Sequence, residues 1–126
     1  MATVAQSGVI FSAQALTADV TSSVFQLYEG QALRVSSASG TRVGQIVFEV
    51  TSDSPAAIKN DTAEWSSGTL WEPGVGYFSD LYLRASTAFS KIFNIASRGT
   101  YGRLRYIAGT ATGGALNAAA LRKQET

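Results

Sequence analysis

The fold is decided by the C-terminal stretch Tyr101-Gly-Arg-Leu-Arg-Tyr-Ile-Ala108, followed by Gly-Thr-Ala-Thr-Gly-Gly114 and Ala-Leu-Asn-Ala-Ala-Ala-Leu121. Its first part alternates, so that Leu104 and Tyr106 point to one side of a strand while Arg103 and Arg105 point to the other. Glycine and threonine then interrupt the pattern before a second apolar segment begins. We interpret the stretch as two antiparallel strands joined by a glycine-rich hairpin turn.

Further segments of this kind repeat along the chain with turn residues between them. Strands are predicted over residues 23–28, 31–36, 43–51, 65–71, 81–85, 90–96, 101–108 and 115–122. Many short strands at even spacing are typical of a sandwich or barrel. We therefore predict an all-β fold, a single antiparallel β-sandwich domain with a jelly-roll-like arrangement of about eight strands, over residues 23–126.

The N-terminal region is less regular than the remainder. Residues 1–22 mix Ala, Ser, Thr and Gln around one short apolar piece, Val9-Ile10-Phe11. We predict that they form an extended N-terminal arm with at most one strand, held loosely until it lies against a partner. A partly disordered terminus is the competing interpretation. Residues 56–63 are compatible with one helical turn.

The composition excludes several kinds of chemistry. The 126 residues contain no Cys, which excludes disulfides and thiolate metal sites, and no His, the usual general base and transition-metal ligand. The net charge of +1 argues against a nucleic-acid binder, which needs a basic surplus. No basic residue precedes Arg34, and no apolar run approaches the length of a membrane span. We expect no contact with nucleic acid or membrane, and synthesis in a cytoplasm.

No catalytic, cofactor or metal site is predicted. The glycine-rich segment 109–114 lacks the following helix and Lys of a phosphate-binding loop. A pair of the loop carboxylates would suit a glycosidase only across a cleft, for which so small a domain has little room. These carboxylates are Asp53, Asp61, Glu64, Glu72 and Asp80. We expect a protein that is not an enzyme and carries no cofactor.

Two groups of side chains suggest contacts with other molecules. Trp65, Trp71 and Tyr77 are candidates for an aromatic contact patch, although packing under a long loop is the competing interpretation. Arg98, Arg103 and Arg105 form the densest basic cluster, which Arg84 would join from a neighbouring strand. This cluster is either an ordinary solvated sheet face or a surface that pairs with acidic groups of another protein.

The order of features resembles the small capsid cement, or decoration, proteins of tailed bacteriophages, particularly the podophage type. The likeness covers most of the chain. It is carried by the Ala/Thr/Ser-rich segment 11–23, by the long strand 43–53 that ends in Thr-Ser-Asp, and by the aromatic-Arg-Leu-aromatic strand 101–106. The irregular region 61–76 has no counterpart in the pattern.

The resemblance implies a virion protein on the outside of the phage capsid. Such a protein would bind the major capsid protein and itself, as a homodimer or homotrimer, and stabilise the head. We expect Val9, Ile10, Phe11, Arg103 and Arg105 to make these contacts. A carbohydrate- or receptor-binding module of a phage tail is the alternative, with Trp65, Trp71 and Tyr77 as a stacking surface beside Asp61 and Glu64. A tail-tube or neck protein is a third possibility.

Overall fold

The computed structural model describes residues 3–28, 30–37, 44–83, 88–96, 99–109 and 114–125, and within these ranges the protein is a two-layer β-sandwich. The predicted all-β class is therefore confirmed. The strands are β1 (Thr3–Ala15), β2 (Val20–Thr21), β3 (Phe25–Gln26), β4 (Ala32–Ser37), β5 (Gly44–Thr51), β6 (Ser66–Ser67), β7 (Leu70–Glu72), β8 (Gly76–Phe78), β9 (Asp80–Leu83), β10 (Phe89–Ile95), β11 (Tyr101–Ala108) and β12 (Ala115–Glu125). A short helix, α1 (Pro55–Lys59), is capped by the Ser54 side chain.

Two antiparallel sheets make up the sandwich. The front sheet has the strand order β1-β12-β4-β10-β7-β8, and the back sheet has the order β2-β11-β5-β6. Strand β3 also pairs with β11, and β9 also pairs with β5. Because the central strands alternate in burial, each sheet presents one face to the core and one to its surroundings.

The core lies between the two sheets. Leu104 and Tyr106 of β11 are fully buried, and Phe48 of β5 and Phe93 of β10 are 1% exposed. Burial of each such side chain stabilises the fold by roughly 1.5–3 kcal/mol. The Tyr106 hydroxyl donates a hydrogen bond of 2.9 Å to the Leu16 carbonyl oxygen. Burial raises the pKa of Tyr106, and the carboxylate of Asp19 contributes in the same direction.

The predicted C-terminal hairpin is wrong, although both of its strands are present. Strand β11 lies in the back sheet and β12 in the front sheet. Both edges of β11 are already occupied, by β5 on one side and by β2 and β3 on the other. Strand β12 instead pairs with β1 and β4. Strands β11 and β12 therefore belong to different sheets, and residues 110–113 of the predicted turn lie outside the described residues.

The N-terminal segment also differs from the predicted arm. Strand β1 pairs with β12 from Thr3 to Ala15, with register shifts after Val9 and Phe11. Ile10, Phe11 and Leu16 are buried members of the core. Residues 10–16 are consequently part of the sandwich, because Ile10, Phe11 and Leu16 pack in its core.

Other predicted elements agree in type and differ in extent. The segment predicted as strand 23–28 contains only the two residues of β3, and the segment 65–71 contains β6 and the start of β7. Strand β8 was not predicted. Helix α1 begins at Pro55, one residue before the predicted helical turn in segment 56–63, and ends at Lys59. The described residues thus hold twelve strands where about eight were expected. Arg84, Arg98 and the end of predicted strand 81–85 lie outside the described residues.

Candidate contact surfaces

The predicted N-terminal contact residues are divided between the surface and the core. Val9 is 72% exposed on the outer face of the front sheet, whereas Ile10 and Phe11 are 8% and 5% exposed and pack inside the sandwich. Of these three residues, Val9 is the one whose side chain is accessible for contact with another molecule.

The two predicted arginines lie on the outer face of the back sheet in different environments. The Nε atom of Arg103 donates to Oε1 of Glu49 at 2.9 Å, and its guanidinium carbon lies 4.1 Å from the ring centroid of Trp65. Arg105 is exposed and makes no ion pair among the described residues. Because Glu49 and Trp65 engage Arg103, Arg105 is the freer of the two for a contact with acidic groups.

The structure does not bring the three predicted aromatic residues together. Trp71 and Tyr77 are directly opposite each other on β7 and β8 of the front sheet. Trp65 stacks on Arg103 at the outer face of the back sheet, on the other side of the sandwich. The polar partners suggested for a sugar, Asp61 and Glu64, are both exposed. A stacking platform that includes both tryptophans is therefore not formed.

A more continuous surface is the outer face of the front sheet, which we call the open face. Strand pairing places its residues in three neighbouring rows. They are Val9, Ala119, Arg34 and Ile92 in one row, Leu121, Ala32, Asn94, Trp71 and Tyr77 in the next, and Asn117, Ser36 and Ser90 in the third.

The open face combines exposed apolar side chains with small residues. Val9, Ile92 and Tyr77 are 72%, 57% and 73% exposed. Arg34 is the one charged residue among the twelve of the open face. A shallow cavity of about 410 Å³ lies beside Arg34, lined by Val9, Phe11, Ser12, Arg34, Ser36, Ser90, Asn117, Ala118 and Ala119. Exposed apolar patches with few charges are typical of protein contact sites.

Sequence reasoning missed this surface because it depends on the pairing of strands that are distant in sequence. One local signal was present in β10, where Ile92 precedes the buried Phe93. An apolar side chain next to a core residue must point away from the core in a regular strand. Two adjacent apolar residues in a predicted strand therefore indicate that both faces are candidates for burial.

The outer face of the back sheet is more polar. It carries the ion pair of Arg103 with Glu49, and Nε2 of Gln45 donates to Oδ2 of Asp80 at 2.6 Å. Arg105 lies between them and opposite Val47. These polar groups largely satisfy one another within the chain, so the open face is the stronger candidate for a protein contact.

No group of three or more Asp or Glu side chains in the described ranges is arranged to hold a metal ion. No helix in the described part of the chain is long and apolar enough to cross a membrane.

Comparison with known proteins gives one structural neighbour. No family model matches the sequence, and no curated protein matches it either. The fold is similar to the crystal structure of the SPBc2 prophage-derived protein YomS, with a TM-score of 0.60 over 97% of this chain and 96% of that one. The two sequences are 10% identical, so the likeness shows a shared sandwich fold.

Proposed function

We propose that this chain is a structural protein of a phage virion without enzymatic activity, a decoration protein that binds the outside of the head. Its partners are the major capsid protein and further copies of itself, and it is made in the host cytoplasm. The observation that carries the proposal is the open face, with exposed Val9, Ile92 and Tyr77 and one charge, Arg34. Such a face is suited to burial against another protein.

Two further observations support a phage setting. The structural neighbour YomS is named as a prophage-derived protein, and its chain matches this one along nearly its whole length. The sequence pattern also resembles phage cement proteins in segments 11–23, 43–53 and 101–106.

The charge of the open face favours an acidic partner there. Arg34 is exposed and makes no ion pair among the described residues. Two open faces packed against each other about an axis near Arg34 would bring two guanidinium groups together, which is unfavourable. A carboxylate on the major capsid protein would pair with Arg34 while the neighbouring apolar side chains are buried.

The contact is tested by binding of variants to purified heads. Ile92→Lys places a charge on the open face, and Val75→Lys places the same charge in the exposed turn between β7 and β8. Both side chains are more than half exposed, so neither change disturbs the core. We expect Ile92→Lys to lower the copies bound per head at least tenfold in co-sedimentation and Val75→Lys to bind as the unmodified protein does. Equal binding of both variants would show that the open face is not the capsid contact.

The role itself is tested on heads assembled with and without the protein. Many identical contacts on a symmetric shell add through multivalency, even when each is weak. Heads that lack the protein should therefore release DNA at a lower temperature and after milder osmotic shock. If bare and decorated heads resist equally, or if the protein is found in tails, the proposal is wrong.

A further inference from the structure

Strand β1 is a long, open edge of the front sheet. It has thirteen residues, and its pairing partner among the described residues is β12 on one side. In an antiparallel pair, alternate residues direct their N–H and C=O groups away from the partner. Within the described residues, no second strand pairs with the outward side of residues 3–9.

The other sheet edges are protected, which makes β1 an exception. The opposite edge of the front sheet, β8, has three residues. At the borders of the back sheet, β2, β3 and β6 have two residues each, and β9, which also borders β5, has four. Edge strands are ordinarily kept from pairing by shortness, by charges or by proline. From Thr3 to Ala15 the sequence contains no charged residue and no proline.

The N-terminal end of β1 also lacks support from the sandwich. Residues 3–6 pair with residues 122–125 of β12, whereas β4 pairs with β12 only as far as Leu121. Within the part of the chain that the structure describes, this end is therefore a two-stranded ribbon that extends past β4. A ribbon of two strands is marginally stable by itself in water, and a third strand would stabilise it.

We infer that β1 pairs with β1 of a second copy of this chain, antiparallel and about a two-fold axis. The occupant is a second copy because an uncharged strand edge is self-complementary under a two-fold rotation and brings no like charges together. The inference rests on the proposed function, in which the chain is a head protein that contacts copies of itself. It assigns the contact between copies to the backbone edge of β1, whereas the capsid contact uses side chains of the open face, to which β1 contributes Val9.

The register follows from the regular part of the strand. Pairing with β12 is continuous from Thr3 to Val9, before the first register shift. Antiparallel pairing of this segment with itself places the axis at Gln6 and sets Thr3 of one copy opposite Val9 of the other. The two front sheets then form one continuous sheet across the dimer.

Single cysteines test this register, because the chain contains none of its own. Opposed Cα atoms at Gln6 would be about 4.5 or 5.5 Å apart, depending on the type of pair. Both separations lie within the range of about 4.4–6.8 Å that a disulfide spans. We expect Gln6→Cys to form a covalent dimer on mild oxidation. Ser12→Cys, in the irregular half of the same strand, should stay monomeric under denaturing conditions.

A charge at the axis gives the complementary test by light scattering. The unmodified protein at tens of micromolar should have twice the 13.3 kDa mass of the chain. Gln6→Lys should halve that mass, because it opposes two like charges, while Thr17→Lys on an exposed bend should leave the dimer intact. Circular dichroism and thermal denaturation check that both variants remain folded.

These experiments test the β1 contact and the proposed function separately. A monomer, a trimer, or a dimer that survives Gln6→Lys and fails to cross-link through residue 6 overturns the β1 contact. Co-sedimentation of Gln6→Lys with heads then reports on the function alone. A variant that is monomeric and still decorates heads supports both assignments, because the open face is unchanged.

Discussion

Arg103 and Arg105 show how strand position determines the role of a residue. They have the same chemistry, lie two positions apart and point to the same face of β11. Arg103 is opposite Glu49, with which it forms an ion pair, and Trp65 covers its guanidinium group. Arg105 is opposite Val47 and exposed. The sequence grouped them as one basic cluster, whereas their partners on other strands separate a structural arginine from an available one.

Replacing Arg103 with alanine should destabilise the protein. The ion pair is largely shielded, with 20% of the Arg103 side chain and 13% of the Glu49 side chain exposed. Loss of a charge-assisted hydrogen bond and of a cation–π contact predicts a decrease in the free energy of unfolding of about 1–2 kcal/mol. The midpoint of thermal unfolding, followed by circular dichroism, measures this decrease.

Arg105→Ala is the matched control for that measurement. An exposed side chain without an ion pair among the described residues should change the free energy of unfolding by less than about 0.5 kcal/mol. Arg103→Lys retains the charge and loses the planar guanidinium, so it should recover part of the stability. Equal destabilisation by Arg103→Ala and Arg105→Ala would contradict the assignment of a structural role to Arg103.

At the scale of elements, strands with regular alternation were predictable from sequence and their partners were not. Strand β11 was predicted with its observed bounds, because buried Leu104 and Tyr106 alternate with Arg103 and Arg105. Strand β1 lies in the predicted arm, for which no more than one strand was expected, and two register shifts interrupt its pairing with β12. The glycine-rich segment 109–114 is compatible with a hairpin or with a passage between sheets. Only the pairing of β12 with the distant strands β1 and β4 distinguishes the two.

Gly68 is required where the chain leaves the back sheet for β7. A Cβ atom added at Gly68 would lie 2.5 Å from the ring of Phe48, which is 1% exposed and packed on all sides. Gly68→Ala should therefore lower the free energy of unfolding by about 1–3 kcal/mol through overpacking. The shift of the urea midpoint measures the effect.

Gly8 supplies the control for Gly68. A Cβ atom at Gly8 meets nothing within 4 Å. In a strand, replacement of glycine with alanine reduces the entropy of the unfolded chain, so Gly8→Ala should be neutral or slightly stabilising. A Gly68→Ala variant as stable as Gly8→Ala would show that Phe48 moves aside without cost.

At the scale of the whole molecule, the two sheets are interleaved along the chain. Strands β4, β10 and β12 of the front sheet alternate in sequence with β5 and β11 of the back sheet. Neither sheet is therefore made from one continuous segment, and the core between them forms only when distant segments meet. Such a topology predicts slow folding and a single cooperative unfolding transition. It also means that the first and last strands, β1 and β12, are parts of one unit.

Deletion of residues 1–16 tests whether β1 folds as part of the sandwich or is a separate arm, as the sequence predicted. The deletion removes Ile10, Phe11 and Leu16 from the core and removes one of the two strands that pair with β12. At roughly 1.5–3 kcal/mol for each buried side chain, the loss approaches the total stability of about 5–15 kcal/mol that is usual for a domain. We expect the shortened chain to lack a cooperative thermal transition. Deletion of residues 1–6, which leaves Ile10, Phe11 and Leu16 in place, should preserve that transition. A cooperative transition at an unchanged temperature after the longer deletion would show that the segment is a separate arm.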